Sequence, residues 1–478
     1  MKLIFDWDGQ RNKGIILSSY LDLIREYFSI ENKGSKYSRS PFNKRKYAIT
    51  KTGRFNPGLF FEIIKYIKYN LPDLKVSQTP EFGRIINPAS ILQNVPIAQL
   101  KLTPFEHQQA ALEAFKKYGR GLILIGTGGG KTLITALITK TMLSTSKDAN
   151  ALILVPNGQL MEQTCTDFID YGIDENLISK WSGIAKVDKN APIIIATMKI
   201  LQSKKQDPSF LFNRSIVLVD EAHGLRLGNK NNKILAKFKT PFKIGLTATL
   251  PSNIEDQWNI KGHFGRTLVD VPSIELIGKG YLSDRVINIL NLNYDKYLYP
   301  VINPNNPTEA YNKECDFLFN HPFRNKVISH LATQCKGNLL ITVDRLEHGQ
   351  TLYDLISEKA KHKQVYYITG EMKIKDRENI RKEMEYNSNF VCIAIAKIFS
   401  TGINIKNLRY IIFAQGSKAK ITLIQTIGRG LRLHEYKDQL DFFDIADMQH
   451  YGQSHLEERL NFYKEEKAEY VFKDLFES

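Results

Sequence analysis

The residues with the clearest chemistry are Gly130-Lys131-Thr132, which close the stretch G-L-I-L-I-G-T-G-G-G-K-T from Gly121 to Thr132. The apolar run Leu122 to Ile125 suits a buried parallel strand. A glycine loop follows, and the segment after it, Leu133 to Leu143, is compatible with a helix. Strand, glycine loop, Lys-Thr and helix in that order make a cradle for phosphate. Backbone N–H groups of the loop and helix N-terminus point at the anion, and the helix dipole favours its charge. Thr127, Gly128, Gly129 and Gly130 line the loop. Lys131 reaches the β- and γ-phosphates of a nucleotide, and the Thr132 hydroxyl holds Mg²⁺. The general pattern has a glycine five residues before Gly130, where this chain has Ile125. A plain glycine-rich turn therefore stays open until partner residues appear.

The partners are acids and arginines. Asp220-Glu221-Ala222-His223 directly follows the apolar run Ile216–Val219. The acids then sit at the carboxyl end of a strand, where ligands bind in α/β sheets. Asp220 suits a Mg²⁺ held through water, and Glu221 suits a base that orients and deprotonates an attacking water. An acidic surface turn is the alternative. Thr247-Ala248-Thr249 lies just past another strand and carries little weight alone; in this context it fits a link between hydrolysis and domain movement. Gln425-Thr426-Ile427-Gly428-Arg429-Gly430-Leu431-Arg432 comes later. Arg429 and Arg432 are three apart, so on one helix they share a face. A guanidinium aimed at a γ-phosphate stabilises transition-state charge. Taken by itself, that segment reads as an ordinary basic helix end.

Strands must place these groups, and the pattern supplies them. Apolar strands are expected at Gly121–Ile125, Ala151–Val155, Ile193–Ala196, Ile216–Val219 and Lys243–Leu246, separated by helical or loop segments. This alternation marks a parallel, doubly wound α/β domain. A second alternating unit has strands at Asn338–Val343, Val365–Ile368, Phe390–Ala394 and Tyr410–Ala414, and one near Asp441–Ile445, but no phosphate loop of its own. The polar stretch Asn291 to Glu314 reads as an insertion or long loop. The expected organisation is a small α+β domain over 1–95, ending in a proline-bearing linker over 80–100. An ATP-binding α/β domain over 96–280, a second over 281–450, and a charged helical tail over 451–478 follow.

Composition narrows the partner. Among 478 residues, 66 Lys+Arg against 50 Asp+Glu give a net charge of +16, which points to a polyanion such as nucleic acid. Cys165, Cys315, Cys335 and Cys392 are scattered, with no C-x-x-C pair and no histidine at metal spacing, so they read as reduced thiols. Asp6 and Asp8 interrupt the first apolar run, which is no signal peptide, and no apolar run is long enough to cross a membrane. A soluble cytoplasmic protein is expected, with no membrane partner.

The N-terminal region has its own signal. From Asn32 to Phe61 there is no acidic residue, while Lys33, Lys36, Arg39, Lys44, Arg45, Lys46, Lys51 and Arg54 alternate with Tyr37, Phe42, Tyr47 and Phe55. Cations would neutralise phosphates and aromatics would stack on exposed bases. The alternative is a solvated strand pair whose aromatics face the domain's own core.

G-T-G-G-G-K-T, D-E-A-H, T-A-T and Q-T-I-G-R-G-L-R in this order resemble the motifs of superfamily 2 helicases. Thr401-Gly402-Ile403-Asn404 matches that family's motif V, and Gln108 its nucleotide-reading glutamine. The resemblance extends towards the phage UvsW-type recombination helicases through F-S-T-G-I-N-I-K-N-L, S-K-A-K-I-T-L-I-Q-T-I-G-R and Y-Y-I-T-G-E. More weakly, R-E-Y-F-S and the basic ribbon echo that family's small DNA-binding domain. It implies two RecA-like domains with ATP between them and a nucleic-acid strand across their tops. It implies that Gln108 contacts adenine, that Gly402 joins the nucleotide site, that Gln425 places the water, and that Arg432 is the main arginine finger beside Arg429. It implies strand contacts from Pro156, Thr197, Thr342 and the Lys397–Gly402 loop, Thr401 included. Branched DNA is the implied substrate, remodelled by a protein acting as a monomer in recombination, repair or replication. Ile125 and Gly126 depart from the family, which usually has small residues or proline there. A duplex translocase that does not part strands and an RNA helicase remain alternatives.

Overall fold

Two aliphatic runs, Gly121–Ile125 and Ala151–Val155, are buried at every position. Such runs select parallel strands covered on both faces, because no position can be spared for water. The computed structural model describes residues 2–32, 45–182, 187–203, 207–228, 230–295, 306–396, 405, 407–415, 420–434 and 437–477. Lys44, Lys397, Thr401 and Gly402 lie outside the described residues. Contacts divide the chain into Met1–Ile125 with Gly130–Val271, and Gly126–Gly129 with Pro272–Ser478.

The first unit begins with β1 (Lys2–Asp8), β2 (Lys13–Leu17), β3 (Ser29–Glu31), β4 (Arg45–Tyr47), β5 (Arg54–Phe55) and β6 (Lys75–Gln78). Four of them form a sheet in the order β5-β2-β1-β6, and β3 pairs antiparallel with β4. Aromatic side chains fill the core: Phe5 packs edge-on to Phe60 at 4.8 Å and stacks on Phe82 at 5.8 Å. Phe55, grouped above with the base-stacking aromatics, is 2% exposed and belongs to this core. Residues 80–100, expected as a linker, contain the helix Pro80–Ile86, which Thr79 caps and which drives Phe82 to full burial. Pro80 starts the helix instead of breaking it, because the first turn needs no N–H from that position.

The larger sheet of this unit has β7 (Gly121–Ile125), β8 (Ala151–Val155), β9 (Ile178–Trp181), β10 (Ile193–Thr197), β11 (Ile216–Val219), β12 (Lys243–Thr247) and β13 (Thr267–Val271). All pair in parallel, in the order β13-β7-β12-β11-β8-β10-β9. The edge strands β9 and β13 carry mixed polarity, so the apolar runs did not reveal them.

The small sheet is docked on the large one by specific groups. Arg120 spans the junction, donating to the carbonyls of Ile85, His263 and Phe264 at 2.9, 2.8 and 3.0 Å. Asn12 donates to Ala236 and Phe238 at 2.7 and 2.9 Å, and Lys261 pairs with Glu62 at 3.0 Å. Buried among these are Lys243 and His263. Burial first, then Arg120 and Lys13, push the Lys243 ammonium down to about 7. Folding thus favours neutral Lys243, whereas the unfolded chain keeps that proton up to about pH 10.4. Stability should rise with pH between those values, by at most about 1.4 kcal/mol per pH unit. Lys243→Met removes this slope and raises stability at pH 7, because a buried charge without a counter-charge is replaced by an apolar group. Calorimetric melting from pH 7 to 9 checks it; parallel profiles for the two proteins would refute the assignment.

The second unit is built on β14 (Asp284–Asn293), β15 (Leu339–Val343), β16 (Gln364–Ile368), β17 (Phe390–Ile395), β18 (Tyr410–Phe413), β19 (Gln439–Asp447) and β20 (Tyr470–Phe476). These also pair entirely in parallel, in the order β16-β17-β15-β18-β19-β14-β20. The chain is therefore α/β, with two RecA-like parallel-sheet domains in tandem after a small α+β domain. The last segment is not a helical tail alone. The helix His450–Glu465 leads into β20, which pairs along β14 and closes the sheet edge. A buried ion pair, Arg459 to Asp444 at 2.8 Å, binds this helix to β19, and a second, Arg324 to Asp447 at 2.9 Å, binds the helix Pro322–Gln334 to the same strand. The polar stretch after β14, read above as a loop, enters the helix Pro307–Asn320 once Asn306 caps it. All four cysteines are buried and unbridged. No described helix is long and apolar enough to cross a membrane.

Candidate active site

The phosphate loop follows β7 and leads into the helix Lys131–Leu143. Gly128 and Gly130 have φ of 89° and 79°, a region that an L side chain adopts only at a cost. At Gly130 space is also closed, since a Cβ would lie 2.2 Å from Nε2 of Gln108. Gln108 is 3% exposed, and its Oε1 accepts from the Phe105 N–H at 2.8 Å. It thereby caps its own helix, Glu106–Tyr118, and sets its amide against the loop. Lys131 Nζ donates to the Ile125 carbonyl at 3.2 Å, which holds the ammonium across the loop. The ladder of the helix that Lys131 opens starts with Leu133 and Ile134 donating to the Gly130 carbonyl at 3.0 and 3.3 Å, which leaves the N–H groups before them to face an anion.

The acids extend β11. The Asp220 N–H continues the ladder to Leu154 at 2.9 Å, and the Asp220 carboxylate accepts from the Glu221 N–H at 2.9 Å. Glu221 has φ 50°, a left-handed conformation rare for a residue with a side chain. Strain of this kind collects where a side chain must be aimed. Asp220 keeps some exposure, yet burial pushes its carboxyl up to about 6. The Glu221 charge pushes the same way, and Lys131 opposes both. Burial thus makes the ionised form of this carboxylate costlier than usual, and a bound cation would offset that cost. Thr132, Asp220 and phosphate oxygens fit Mg²⁺, which takes few protein ligands and keeps several waters. No group of three or more His, Cys, Asp or Glu side chains gathers as a metal site among the described residues.

His223 was assigned no role from sequence, and the structure gives it one. Its Nδ1 lies 2.9 Å from Thr247 Oγ1 and 3.2 Å from Glu221 Oε2. Thr247 Oγ1 donates its single hydrogen to the Thr249 carbonyl at 3.0 Å, so it can only accept from His223. Nδ1 therefore carries the proton, and the imidazole ties Glu221 to Thr247-Ala248-Thr249. The signal was present in the sequence as D-E-A-H followed by T-A-T, but it needed β11 and β12 to be neighbours.

In the second unit the helix Lys420–Gly430 carries Gln425, which is half-buried, and Arg429, described in its backbone alone. The helix ends at Gly430, so Arg432 does not share a helical face with Arg429 as the spacing implied. Glycine weakens the helix there, and a Cβ on Gly430 would come 2.5 Å from a Leu440 methyl, which would have to shift. The carbonyls past the break are taken up elsewhere. Ser283 donates through its N–H to Leu431 at 2.6 Å and through Oγ to Arg432 at 3.1 Å. Lys437 Nζ donates to Gly430 at 2.6 Å and to Leu408 at 3.1 Å. Neither Ser283 nor Lys437 was legible as a site residue. Burial, and then Arg432, lower Lys437 to about 7.

The expected strand contacts fall at the carboxyl ends of sheet strands. Pro156 is exposed just after β8, Thr197 is 5% exposed at the end of β10, and Thr342 is fully buried near the end of β15. Thr342 Oγ1 has no hydrogen-bond partner among the described residues.

A family model described as type III restriction enzyme, res subunit, matches residues 101–252, and the helicase conserved C-terminal domain matches residues 324–434. The chain belongs to the superfamily 2 helicases. The first match spans the loop, the acids and Thr247-Ala248-Thr249; the second spans the Gln425–Arg432 segment. ATP-dependent DNA helicase uvsW of Enterobacteria phage T4 is 28% identical over 399 residues, covering 78% of this chain and 77% of that protein. Probable helicase D10 of Escherichia phage T5 is 23% identical over 387 residues, covering 80% and 79%. The DUF1998 helicase MrfA, solved bound to DNA, shares the fold at TM-score 0.58 and 16% identity, over 79% of this chain and 56% of that one. As a superfamily 2 helicase the protein hydrolyses ATP.

Proposed function

We propose that this helicase couples ATP hydrolysis to movement on branched DNA, remodelling forks and junctions by unwinding or branch migration. The observation that carries the reading is the carboxylate pair Asp220–Glu221 directly after β11, with the half-buried Asp220 carboxylate accepting from the Glu221 N–H at 2.9 Å. In it, Lys131 and the loop from Thr127 to Gly130 hold the phosphates, Gln108 reads adenine, and Thr132 and Asp220 hold the Mg²⁺ that neutralises phosphate charge when bound. Glu221 takes the proton of the attacking water, Gln425 orients that water, and Arg432 with Arg429 stabilises the transition state. Gly402 completes the nucleotide site. Pro156, Thr197, Thr342, Lys397 and Thr401 touch the strand backbone, so binding is largely independent of sequence and weakens steeply with salt. The DNA helicase among the relatives supports DNA over RNA. The protein acts as a monomer on DNA in the cytoplasm.

A panel of single-stranded, duplex, forked and four-way DNA, with RNA beside it, tests the reading through ATPase stimulation. Greatest stimulation by forks or four-way junctions is expected; stimulation by RNA alone would overturn it. The restriction-enzyme family match favours a second reading, translocation along duplex without strand separation. Displacement of a triplex strand without displacement of a duplex strand would select it.

The basic ribbon adds a quantitative expectation. Arg45 is paired with Glu26 at 3.0 Å, whereas Lys46 is exposed. Replacing Lys44, Arg45 and Lys46 by alanine should lower the slope of log affinity against log salt by roughly 2 to 3 and weaken fork binding more than basal ATPase. Unchanged binding at moderate salt would remove the ribbon from the interface.

A further inference from the structure

Where the β3–β4 ribbon meets the helix Ile254–Phe264 there is a pocket of about 190 Å³. Its lining includes Lys46 and Tyr47 from β4, Asn56 and Leu59 beyond β5, and Glu255 and Trp258 from the helix. Both sides belong to the first unit.

The two aromatic rings are held from behind. The Arg25 guanidinium lies 4.6 Å from the Tyr47 ring centroid, and Tyr47 is 41% exposed, so the ring presents its other surface to solvent. The Phe28 ring lies 5.1 Å from Trp258 and fixes the indole at the edge of the N-terminal core. A water takes about 30 Å³, so the pocket has room for roughly six. That is the scale of one flat heterocycle and below the ~300 Å³ that drug-sized ligands need. The surrounding charge selects the heterocycle's carrier. Lys46 stands at the pocket, and the ribbon runs from Asn32 to Phe61 without one acid in a chain of net charge +16. A polyanion bearing flat rings meets both conditions.

We propose that this pocket receives one nucleobase of single-stranded DNA at a branch, stacked against Tyr47 and Trp258, with its phosphate at Lys46. The inference rests on the reading that the protein binds DNA. Glu255 gives the pocket a preference. Its carboxylate accepts hydrogen bonds, and cytosine, adenine and guanine carry an exocyclic amine whereas thymine does not. The site thus grips one unpaired base while the motor moves the backbone. The β3–β4 ribbon thereby becomes a strand-holding element, with sequence tolerance at every position but one.

The test uses the full chain and forked DNA, whose junction fixes the register. An abasic nucleotide is placed at each successive position of the single-stranded arm, and affinity is read by fluorescence anisotropy. One position should lose about tenfold in affinity, within the range of base–aromatic stacking. Tyr47→Leu and Trp258→Leu should each erase that position dependence, and thymine there should bind less well than cytosine until Glu255→Gln levels them. Tyr47 is a surface residue, so its variant decides the question if Trp258→Leu disturbs the core. Losses equal within twofold along the arm would overturn the pocket and leave DNA binding standing. Failure to bind any fork would overturn both.

Discussion

Glu221→Gln leaves ATP binding near wild type and lowers kcat by about 10²–10⁴-fold, the usual contribution of a positioned general base. The substitution keeps shape and hydrogen-bonding capacity and removes the basic oxygen. It therefore isolates proton transfer. The side chain is aimed by a backbone at φ 50° and lies with Oε2 3.2 Å from His223 Nδ1. Glutamine can keep both features, because it is isosteric with glutamate. Asp220 should feel relief. The Glu221 charge raises its pKa, so the variant brings the Asp220 carboxyl closer to its ordinary value and favours its ionised form. Cation binding is then maintained or improved while turnover is lost. Phosphate release with and without DNA, together with binding of a fluorescent ATP analogue, measures the two halves. Normal DNA-stimulated hydrolysis in the variant would sink the assignment of Glu221 as the base.

Arg432→Ala should lower DNA-stimulated kcat by about 10³–10⁵-fold, as loss of an arginine finger does elsewhere, with DNA affinity retained. The local structure is built to present this residue beyond a helix. Gly430 stops the helix, Ser283 takes the Leu431 and Arg432 carbonyls, and Lys437 takes that of Gly430. A backbone so satisfied does not relax into another helical turn. Lysine should not rescue, because its compact ammonium lacks the planar fork of a guanidinium. Single-turnover hydrolysis and fork binding by anisotropy separate the outcomes. A variant that hydrolyses normally would assign the finger to Arg429, and one that loses DNA affinity would move Arg432 to the strand interface.

Much of the site was legible because its parts are local. A glycine loop flanked by strand and helix needs about a dozen consecutive residues, and all five strands expected in the first sheet are observed from their apolar runs. The edge strands β9, β13 and β20 escaped because one exposed side breaks the run of apolar residues. The linker reading failed at Phe82, since a proline at the first turn reads as a break until the residue after it is known to be buried. Phe55 and Tyr47 carried the same signal in the ribbon, yet one is 2% and the other 41% exposed. Periodicity in strands of two or three residues cannot assign a face.

The chain's order of residues by itself determined the chemistry: a lysine and threonine at a phosphate loop, a carboxylate pair after a strand, and two arginines in the second unit. Those are covalent spacings, and folding cannot change them. Tertiary structure decided which groups act together. His223 reached Glu221 and Thr247 because β11 and β12 are neighbours, and Lys437 and Ser283 met the arginine segment from distant parts of the second unit. Burial turned Asp220 into an acid of pKa about 6, a property of its surroundings and not of its type. The pocket at Tyr47 and Trp258 likewise exists because a helix more than two hundred residues away packs against the ribbon, a contact that no local pattern encodes.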